Sequence, residues 1–302
     1  MGIDRPFARK VWKLGSRLIL GKKRAHAQDW LPHLRLEQRN DDAFDAIRFR
    51  GQRVATLTPL DEWKQLATNE IFVVGSGPSI KSTDVSKIPP HSAVLLNGAM
   101  ALMDQGLPAP LAIAVEDERF VYRHFERFLA PLRCDIPCLL SVAVMRAICE
   151  LKQDWLAERK ILLIDSIAKP YGRDARSIDE LETLPFVCFN GDHSAGFSVA
   201  PEKGVFQGGS VAVSAVQFAV ACRPEMIGFV GVDISNADMP RFYEGKENAA
   251  FSGIARAEER ILKHLDFASE IAGGSGIAFT NFSRISALGK CGIPFSDRLE
   301  KS

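Results

Sequence analysis

From residue 70 onward the chain alternates short apolar runs with helical stretches, and each run stops at small or polar residues. Ile71 to Val74 ends in Gly75-Ser76-Gly77-Pro78-Ser79, Ala93 to Leu96 in Asn97-Gly98, and Leu111 to Val115 in Glu116-Asp117-Glu118-Arg119. Cys138 to Val142, Ile161 to Ile164 and Phe186 to Phe189 supply further strand candidates. Gly208-Gly209 then opens a nearly all-apolar helix, Ser210 to Ala221, and a strand follows over Met226 to Val232 with Asp233 at its end. A helix that is apolar all round belongs in the interior. A last helix, about Ile254 to Ile271, precedes a strand over Ile277 to Thr280 and the polar turn Asn281 to Ser286. This alternation predicts an α/β fold, a mainly parallel sheet with helices on both faces.

The first residues are a different material. Residues 1–26 carry Arg5, Arg9, Lys10, Lys13, Arg17, Lys22, Lys23 and Arg24 against the single acid Asp4. Phe7, Val11, Trp12, Leu14, Leu18 and Ile19 recur at helical spacing, which gives a helix one greasy and one cationic face. Two readings fit: the helix lies on an anionic membrane surface, or it packs on its own domain through Trp12 and Leu18. Phe44 to Leu57 alternates around Arg50-Gly51-Gln52 and predicts a hairpin, with Arg48, Arg50 and Arg53 near its turn. The expected organisation is a basic amphipathic segment over 1–40, the hairpin and a connecting helix over 41–68, and the sheet domain over 69–302.

Composition narrows the function classes. With 302 residues, 46% hydrophobic and 25% charged, the chain can bury a sizeable core, which excludes disorder, collagen and coiled coil. The 38 Lys+Arg against 37 Asp+Glu leave a net charge of +1, so no global field draws the chain onto nucleic acid and any anion site is local. No apolar run approaches the roughly 20 residues that span a bilayer. Cys134, Cys138, Cys149, Cys188, Cys222 and Cys291 show no CxxC pair or His-rich spacing, so they read as reduced core residues and no metal site is expected. The lack of a secretory signal pattern reads as cytosolic.

In an open parallel sheet the ligand lies beyond the carboxyl ends of the strands. Glycines in Gly75-Ser76-Gly77 let backbone N–H groups approach a phosphate, and Ser76 and Ser79 add hydroxyl donors. The third glycine of a dinucleotide fingerprint is absent, Ile80 standing in its place, and Pro78 interrupts the helix start, so a structural turn fits this motif as well as a phosphate loop. Gly208-Gly209-Ser210 stands at the N-terminus of the buried helix, where unpaired amides and the helix dipole favour an anion or a polar ring. Two such sites in one sheet point to a nucleotide. Asp233 suits a ribose or base contact, or the capping of a turn. Arg241 and Tyr243, in an expected loop from Met239 to Gly245, can both donate to a phosphate, or belong to surface packing around Phe242.

Gly75-Ser76-Gly77-Pro78-Ser79, Asn97-Gly98, Asp117 with Arg119-Phe120, the stretch Gly196 to Ala219, Gly231-Val232-Asp233, Arg241-Phe242-Tyr243, and Asn281 with Ser283 and Ser286 together resemble the bacterial lipopolysaccharide-core transferases that add a branching Kdo (3-deoxy-octulosonic acid) to the inner core. More distantly, the chain is similar to bacterial sialyltransferases that use CMP-sialic acid. There too a GxGPS loop follows the first strand, an Asn ends the second, and a small-residue helix start precedes a Gly-x-Asp strand end. The resemblance implies a Rossmann-like, single-domain glycosyltransferase fold over 69–302, with CMP-Kdo as donor substrate, no further cofactor, no metal, and inverting transfer. It also implies a lipid-A-core acceptor, with the enzyme peripheral at the cytoplasmic face of the inner membrane.

On that reading Gly75, Ser76, Gly77, Pro78, Ser79, Asn97, Gly208, Gly209, Ser210, Asp233 and Ser283 bind the CMP-sugar, and Ser76, Ser79, Arg241 and Tyr243 stabilise the departing phosphate. The acceptor hydroxyl needs a base. Asp117 is the first candidate if its site raises its pKa, although an Asp there can instead hold Arg119. The sialyltransferase pattern places a histidine shortly before the last long helix, where Arg256 stands here. His193, in Asn190-Gly191-Asp192-His193-Ser194, is the histidine candidate, and His264 reads as a helix residue at the core edge. Ser210, Ser283 and Arg284 are candidate readers of the donor carboxylate, or simply cap and turn residues. Three alternatives stay open: a sialyltransferase-like enzyme with another CMP-sugar, a non-catalytic nucleotide-binding component of core assembly, and a nucleotide-dependent oxidoreductase. The missing third glycine and Asn97 in place of an acid weigh against the last.

Overall fold

The structure, a computed structural model, describes residues 5–39, 43–234, 241–243 and 257–301. In chain order its elements begin with α1 (Phe7–Arg24), β1 (Leu34–Gln38), β2 (Phe44–Phe49), β3 (Gln52–Thr56), α2 (Leu60–Lys64), β4 (Glu70–Val74), β5 (Ala93–Leu96) and β6 (Ala112–Val115). There follow α3 (Glu118–His124), β7 (Cys138–Ser141), α4 (Val142–Lys152), β8 (Ile161–Ile164), α5 (Ile178–Glu182), β9 (Val187–Phe189) and β10 (Gly196–Ser198). The chain closes with α6 (Val211–Ala221), β11 (Met226–Val230), α7 (Glu258–Gly274) and β12 (Ala278–Asn281). The expected start of the last helix, 254–256, including Arg256, lies outside the described residues.

Seven strands form one sheet in the order β12-β11-β4-β5-β6-β7-β8. The pairs β12 with β11, β11 with β4, β4 with β5, β5 with β6, and β7 with β8 all run parallel. Every residue of β5, β6 and β7 is buried, which is why these segments read as unbroken apolar runs and not as alternating ones. The helices lie around this Rossmann-like sheet. From β4 the chain builds outward to β8, then returns to place β11 and β12 on the other side, so the order reverses between β4 and β11. The strand expected at Phe186 to Phe189 exists as β9, but it pairs antiparallel with β10 in a separate two-stranded sheet. Its residues are only half-buried, unlike the core strands.

The chain forms two compact units: Met1–Trp63 with Val115–Leu184 and Glu202–Val205, and Lys64–Ala114 with Pro185–Pro201 and Phe206–Ser302. In the first, β2 and β3 form the expected hairpin, turned by Arg50 (φ 51°) and Gly51 (φ 84°). Two successive left-handed residues make the tight turn that matches the twist of paired strands. β1, with Arg35, Glu37 and Gln38 among its five residues, is too polar to announce itself and adds antiparallel to β2. In the second, α6 is buried along nearly its whole length, and its one long polar side chain is fully satisfied. Gln217 Oε1 accepts from the Ser198 and Phe206 amides (3.1 and 3.0 Å), and its Nε2 donates to the Phe206 and Val213 carbonyls (2.7 and 2.9 Å). All six cysteines are free thiols; Cys138 and Cys149 are buried, but Cys134 is exposed, which corrects its reading as a core residue. It lies in the turn before β7, where the chain is at the surface. No helix among the described residues is long and apolar enough to cross a membrane.

The first unit contains a buried ionic hub. Glu118, at the start of α3, accepts from Arg5 Nε (2.5 Å) and from the wholly buried Arg146, and lies 3.4 Å from Arg9. Arg146 also donates to Glu150, to the Tyr122 hydroxyl (3.3 Å) and to the Asp29 carbonyl (3.1 Å). Burial, aided by the charge of Glu118, pushes the nearby Asp29 carboxyl up to about 6. A carboxyl with a raised native pKa binds its proton more tightly when folded, so the stability it allows is complete below the unfolded pKa near 3.8 and is lost as pH rises through about 6. We therefore expect Asp29→Asn to be more stable than the natural chain at pH 8 by about 3 kcal/mol, with the gap closing below pH 4. Urea unfolding at the two pH values measures this.

Candidate functional site

The chemistry gathers in the second unit, where β4 and β11 end side by side. Gly75 N–H donates to the Val230 carbonyl (2.7 Å) and Gly77 N–H to the Gly231 carbonyl (2.8 Å). A Cβ on Gly75 would collide with the Gly231 carbonyl, and one on Gly77 with the Asp233 carboxylate. These glycines therefore serve the close approach of two strand ends, and the amides that the sequence reading offers to a phosphate are already engaged. Pro78 opens the short 3-10 turn Pro78–Ser82 at a position where its missing N–H costs nothing.

Asp233 is buried, and its carboxylate accepts from the Ser79 amide (2.7 Å), the Ser79 hydroxyl (2.7 Å) and the Ser283 hydroxyl (2.6 Å). A buried carboxylate with three donors is satisfied, and here it clasps the segments after β4, β11 and β12. In this arrangement it acts as the turn-capping reading has it, and the protons of Ser79 and Ser283 are spent on it. Asn281 holds Ser283 from both sides, Oδ1 accepting from the Ser283 amide (3.0 Å) and Nδ2 donating to its carbonyl (2.9 Å). Ser286 donates to the Val232 carbonyl (2.7 Å).

Ser76 and Asn97 keep polar groups without a partner among the described residues, and residues 241–243 lie against them. Phe242 N–H donates to the Ser76 carbonyl (3.3 Å), which brings residues 241–243 onto the loop, while the Ser76 amide and hydroxyl make no hydrogen bond among the described residues. Asn97, directly after β5, is left-handed (φ 49°), a conformation Asn tolerates better than most side chains. Its Oδ1 is buried and has no hydrogen-bond partner among the described residues. The Tyr243 ring lies so closely on Gly98 that a Cβ there would collide with it, and Arg241 Nη1 donates to the Tyr243 hydroxyl (3.2 Å). The other residues of the expected Met239–Gly245 loop, 239, 240, 244 and 245, lie outside the described residues.

Gly208, Gly209 and Ser210 belong to a separate set of contacts at the start of α6. Gly208 (φ 55°) and Gly209 (φ 97°) are left-handed, and the Ser210 hydroxyl caps α6 by accepting from Ala212 N–H (3.3 Å). Arg260 Nε donates to the Gly208 carbonyl (3.0 Å). His264, also against Gly208, is buried, and its Nδ1 meets the Arg260 carbonyl at 2.8 Å. A carbonyl only accepts, so Nδ1 carries the proton and Nε2 presents its lone pair. Burial lowers the His264 pKa below the usual histidine value and so keeps the ring neutral. Phe206 links this ring (6.2 Å) to Phe189 (5.5 Å), whose ring is 5.3 Å from that of the exposed His193. His193 (φ 57°) sits in a turn tied by Asp192, which accepts from Asn190 Nδ2 (2.7 Å) and from the Ser194 amide (3.0 Å) and hydroxyl (2.5 Å). The spacing of Arg260 and His264 on one helical face was the signal that could have raised His264 above a core-edge residue.

Asp117 belongs to the first unit. It caps α3 by accepting from Arg119 N–H (2.9 Å), and Arg119 Nε donates to it (2.7 Å). Burial pushes its carboxyl up, but the hydrogen bonds and charge of Arg119 outweigh this and hold it below the usual aspartate value. A base needs the opposite shift, so the structure gives Asp117 the work of holding Arg119. Arg284, in the second unit, pairs with Glu300 at the surface. No group of three or more His, Cys, Asp or Glu that could hold a metal ion occurs among the described residues.

No protein-family model matches the chain, and no curated protein matches it by sequence. Among solved structures it is similar to the MAf glycosyltransferase from Magnetospirillum magneticum AMB-1, at 16% identity and a TM-score of 0.44, over 78% of this chain and 34% of that one. The chain thus spans about a third of that protein's length. It is also similar to the Campylobacter jejuni sialyltransferase CstII in complex with a substrate analogue, cytidine-5'-monophosphate (14% identity, TM-score 0.37, 77% of this chain and 87% of that one). A third likeness is to the monofunctional alpha-2,3-sialyltransferase Cst-I from Campylobacter jejuni (13% identity, TM-score 0.34, 78% and 82%). Likenesses of this size decide nothing about the chemistry of this chain, which rests on the strand order and contacts above.

Removing the Asp233 carboxylate strands one amide and two hydroxyls in a buried place. Asp233→Ala is expected to lower the unfolding free energy by roughly 3 kcal/mol, and Asp233→Asn by less, because its amide oxygen still accepts. Equal losses in urea unfolding would mean that the hydrogen bonds contribute little.

Proposed function

We propose that the chain is a glycosyltransferase with a CMP-activated donor, and that it moves Kdo from CMP-Kdo to a Kdo or heptose hydroxyl of a lipid-A-linked core, with inversion at the anomeric carbon, at the cytoplasmic face of the inner membrane. One observation carries the reading. At the point where the strand order reverses, the place where open parallel sheets bind ligands, Ser76, Asn97, Arg241 and Tyr243 converge, and Asn97 Oδ1 is a buried acceptor without a donor among the described residues. Ser76, Asn97, Arg241 and Tyr243 are four of the positions that the resemblance to the Kdo and sialic acid transferases implies for the donor; Gly208, Gly209 and Ser210 make their contacts at the start of α6.

Departure of CMP builds negative charge on its phosphate while the sugar gains oxocarbenium character. Donors held in place before the reaction stabilise that charge without reorganising. The Ser76 amide and hydroxyl, the Arg241 guanidinium and the Tyr243 hydroxyl supply them. Asn97 Oδ1 takes an N–H or O–H of the nucleoside or sugar. Asp233, Ser79 and Ser283 hold the loop that carries Ser76, and the Ser210 hydroxyl keeps its own proton for the donor carboxylate. The acceptor proton goes to a histidine: His264 has a neutral ring and an Nε2 with no hydrogen bond among the described residues, His193 has the exposure, and Asp117 is the weaker candidate because Arg119 holds it low.

Saturating CMP is expected to raise the melting temperature, in line with about 2.7 kcal/mol at a hundredfold excess over Kd. Ser76→Ala and Asn97→Ala should shrink the shift while leaving the ligand-free melting temperature within a few degrees. Unchanged unfolding with both CMP and CMP-Kdo would remove the donor assignment, and transfer from CMP-sialic acid but not from CMP-Kdo would favour the sialyltransferase-like reading. In a transfer assay, replacing the true base, as His264→Gln or His193→Gln, should cost about a hundredfold or more in kcat and abolish the acidic limb of the pH–rate profile.

A further inference from the structure

Helix α1 is docked inside out. Arg9 and Ser16 are 3% and 4% exposed, whereas Phe7, Val11, Leu14 and Leu18 are 79%, 55%, 63% and 75% exposed. Those four apolar residues follow i, i+4, i+7, i+11 spacing and form one stripe. Phe7 and Ser16 are about two and a half turns apart, as are Arg9 and Leu18, so the stripe points directly away from the buried side. Packing on the protein through Trp12 and Leu18 is therefore not what holds this helix; Trp12 is 42% exposed.

The anchors are polar instead. Arg9 donates to the Leu31 and Gln28 carbonyls (2.7 and 2.6 Å), Arg5 and Arg9 approach Glu118, and Arg24 Nε donates to Asp174 (2.5 Å). The bonds of Arg5 and Arg9 fix the roll of the helix before its break so that its apolar residues stay outward. The helix breaks at Gly21 (φ 69°), just past the stripe.

We propose that this stripe docks the protein on an anionic lipid bilayer. A contiguous apolar face on a helix fixed this way needs an occupant, and the charges beside it choose which. Lys13 and Arg17 are exposed on one flank of the stripe, and Lys22 and Lys23 follow in the last turn. A bilayer rich in anionic headgroups satisfies both the apolar stripe and its cationic border, whereas a second copy of this helix would set cations against cations. The inference stands apart from the donor reading and uses none of its residues.

Flotation of the full chain with phosphatidylcholine vesicles, with and without phosphatidylglycerol, tests it. Binding is expected on the phosphatidylglycerol vesicles only, with release at high salt. Leu14→Ser with Leu18→Ser should weaken binding at least about tenfold, because two buried aliphatic side chains are lost. Lys13→Gln with Arg17→Gln should weaken it about 30-fold, at about 1 kcal/mol for each charge. All four positions are exposed, so the melting temperature and its response to CMP should stay as in the natural chain. Failure to float with phosphatidylglycerol vesicles at low salt overturns the proposal, as does unchanged binding by both double variants. A natural chain that is dimeric by light scattering and becomes monomeric in the leucine variant also overturns it, assigning the stripe to a contact between copies.

Discussion

The candidate site depends on how closely β4 and β11 end. Their backbones come together through hydrogen bonds from Gly75 and Gly77, at a separation that leaves no room for a Cβ on either residue. Once that approach is made, Asp233 falls within reach of Ser79 and Ser283, and three segments remote in sequence are tied by one carboxylate. The position of Ser76, the landing of Phe242 on its carbonyl and the seating of Tyr243 on Gly98 all build on that closure.

The same closure divides the polar groups into two sorts. Ser79, Ser283, Asn281 and Asp233 satisfy one another and so form a scaffold, in which a buried charge is affordable because every oxygen has a donor. Ser76 and Asn97 stand outside that economy of bonds, with a donor pair and an acceptor turned to other use. A rigid, self-satisfied base carrying a few unsatisfied groups is how a protein holds polar groups in place for something that is not itself.

Much of the sheet was legible because its strands are short, wholly apolar and stopped by residues that cannot continue them. Gly75, Asn97 and Asp233 each mark such a stop, and all three lie where the strand order directs a ligand. The roles of individual hydrogen atoms were not legible. That Gly75 and Gly77 give their amides to β11, or that Ser79 gives its proton to Asp233, depends on partners about 150 residues away in the chain. β9 was legible as a strand but not as one outside the main sheet, because a four-residue apolar run looks the same in a hairpin as in a parallel sheet. The periodicity of α1 puts Phe7, Val11, Leu14 and Leu18 on one stripe, but periodicity carries no sign: it cannot say which face meets the protein. Arg9 decides that, through carbonyls at Gln28 and Leu31 that no pattern of hydrophobicity reports.

The bonds from Arg5 and Arg9 to the Glu118 hub bear on how the protein tolerates shortening. A basic, greasy leader looks like a tail that recombinant expression could trim for solubility. Cutting it away would instead withdraw two counter-ions from a carboxylate buried at the start of α3 and uncover the carbonyls that Arg9 covers, so the clipped protein would trade an adhesive surface for a wounded interior.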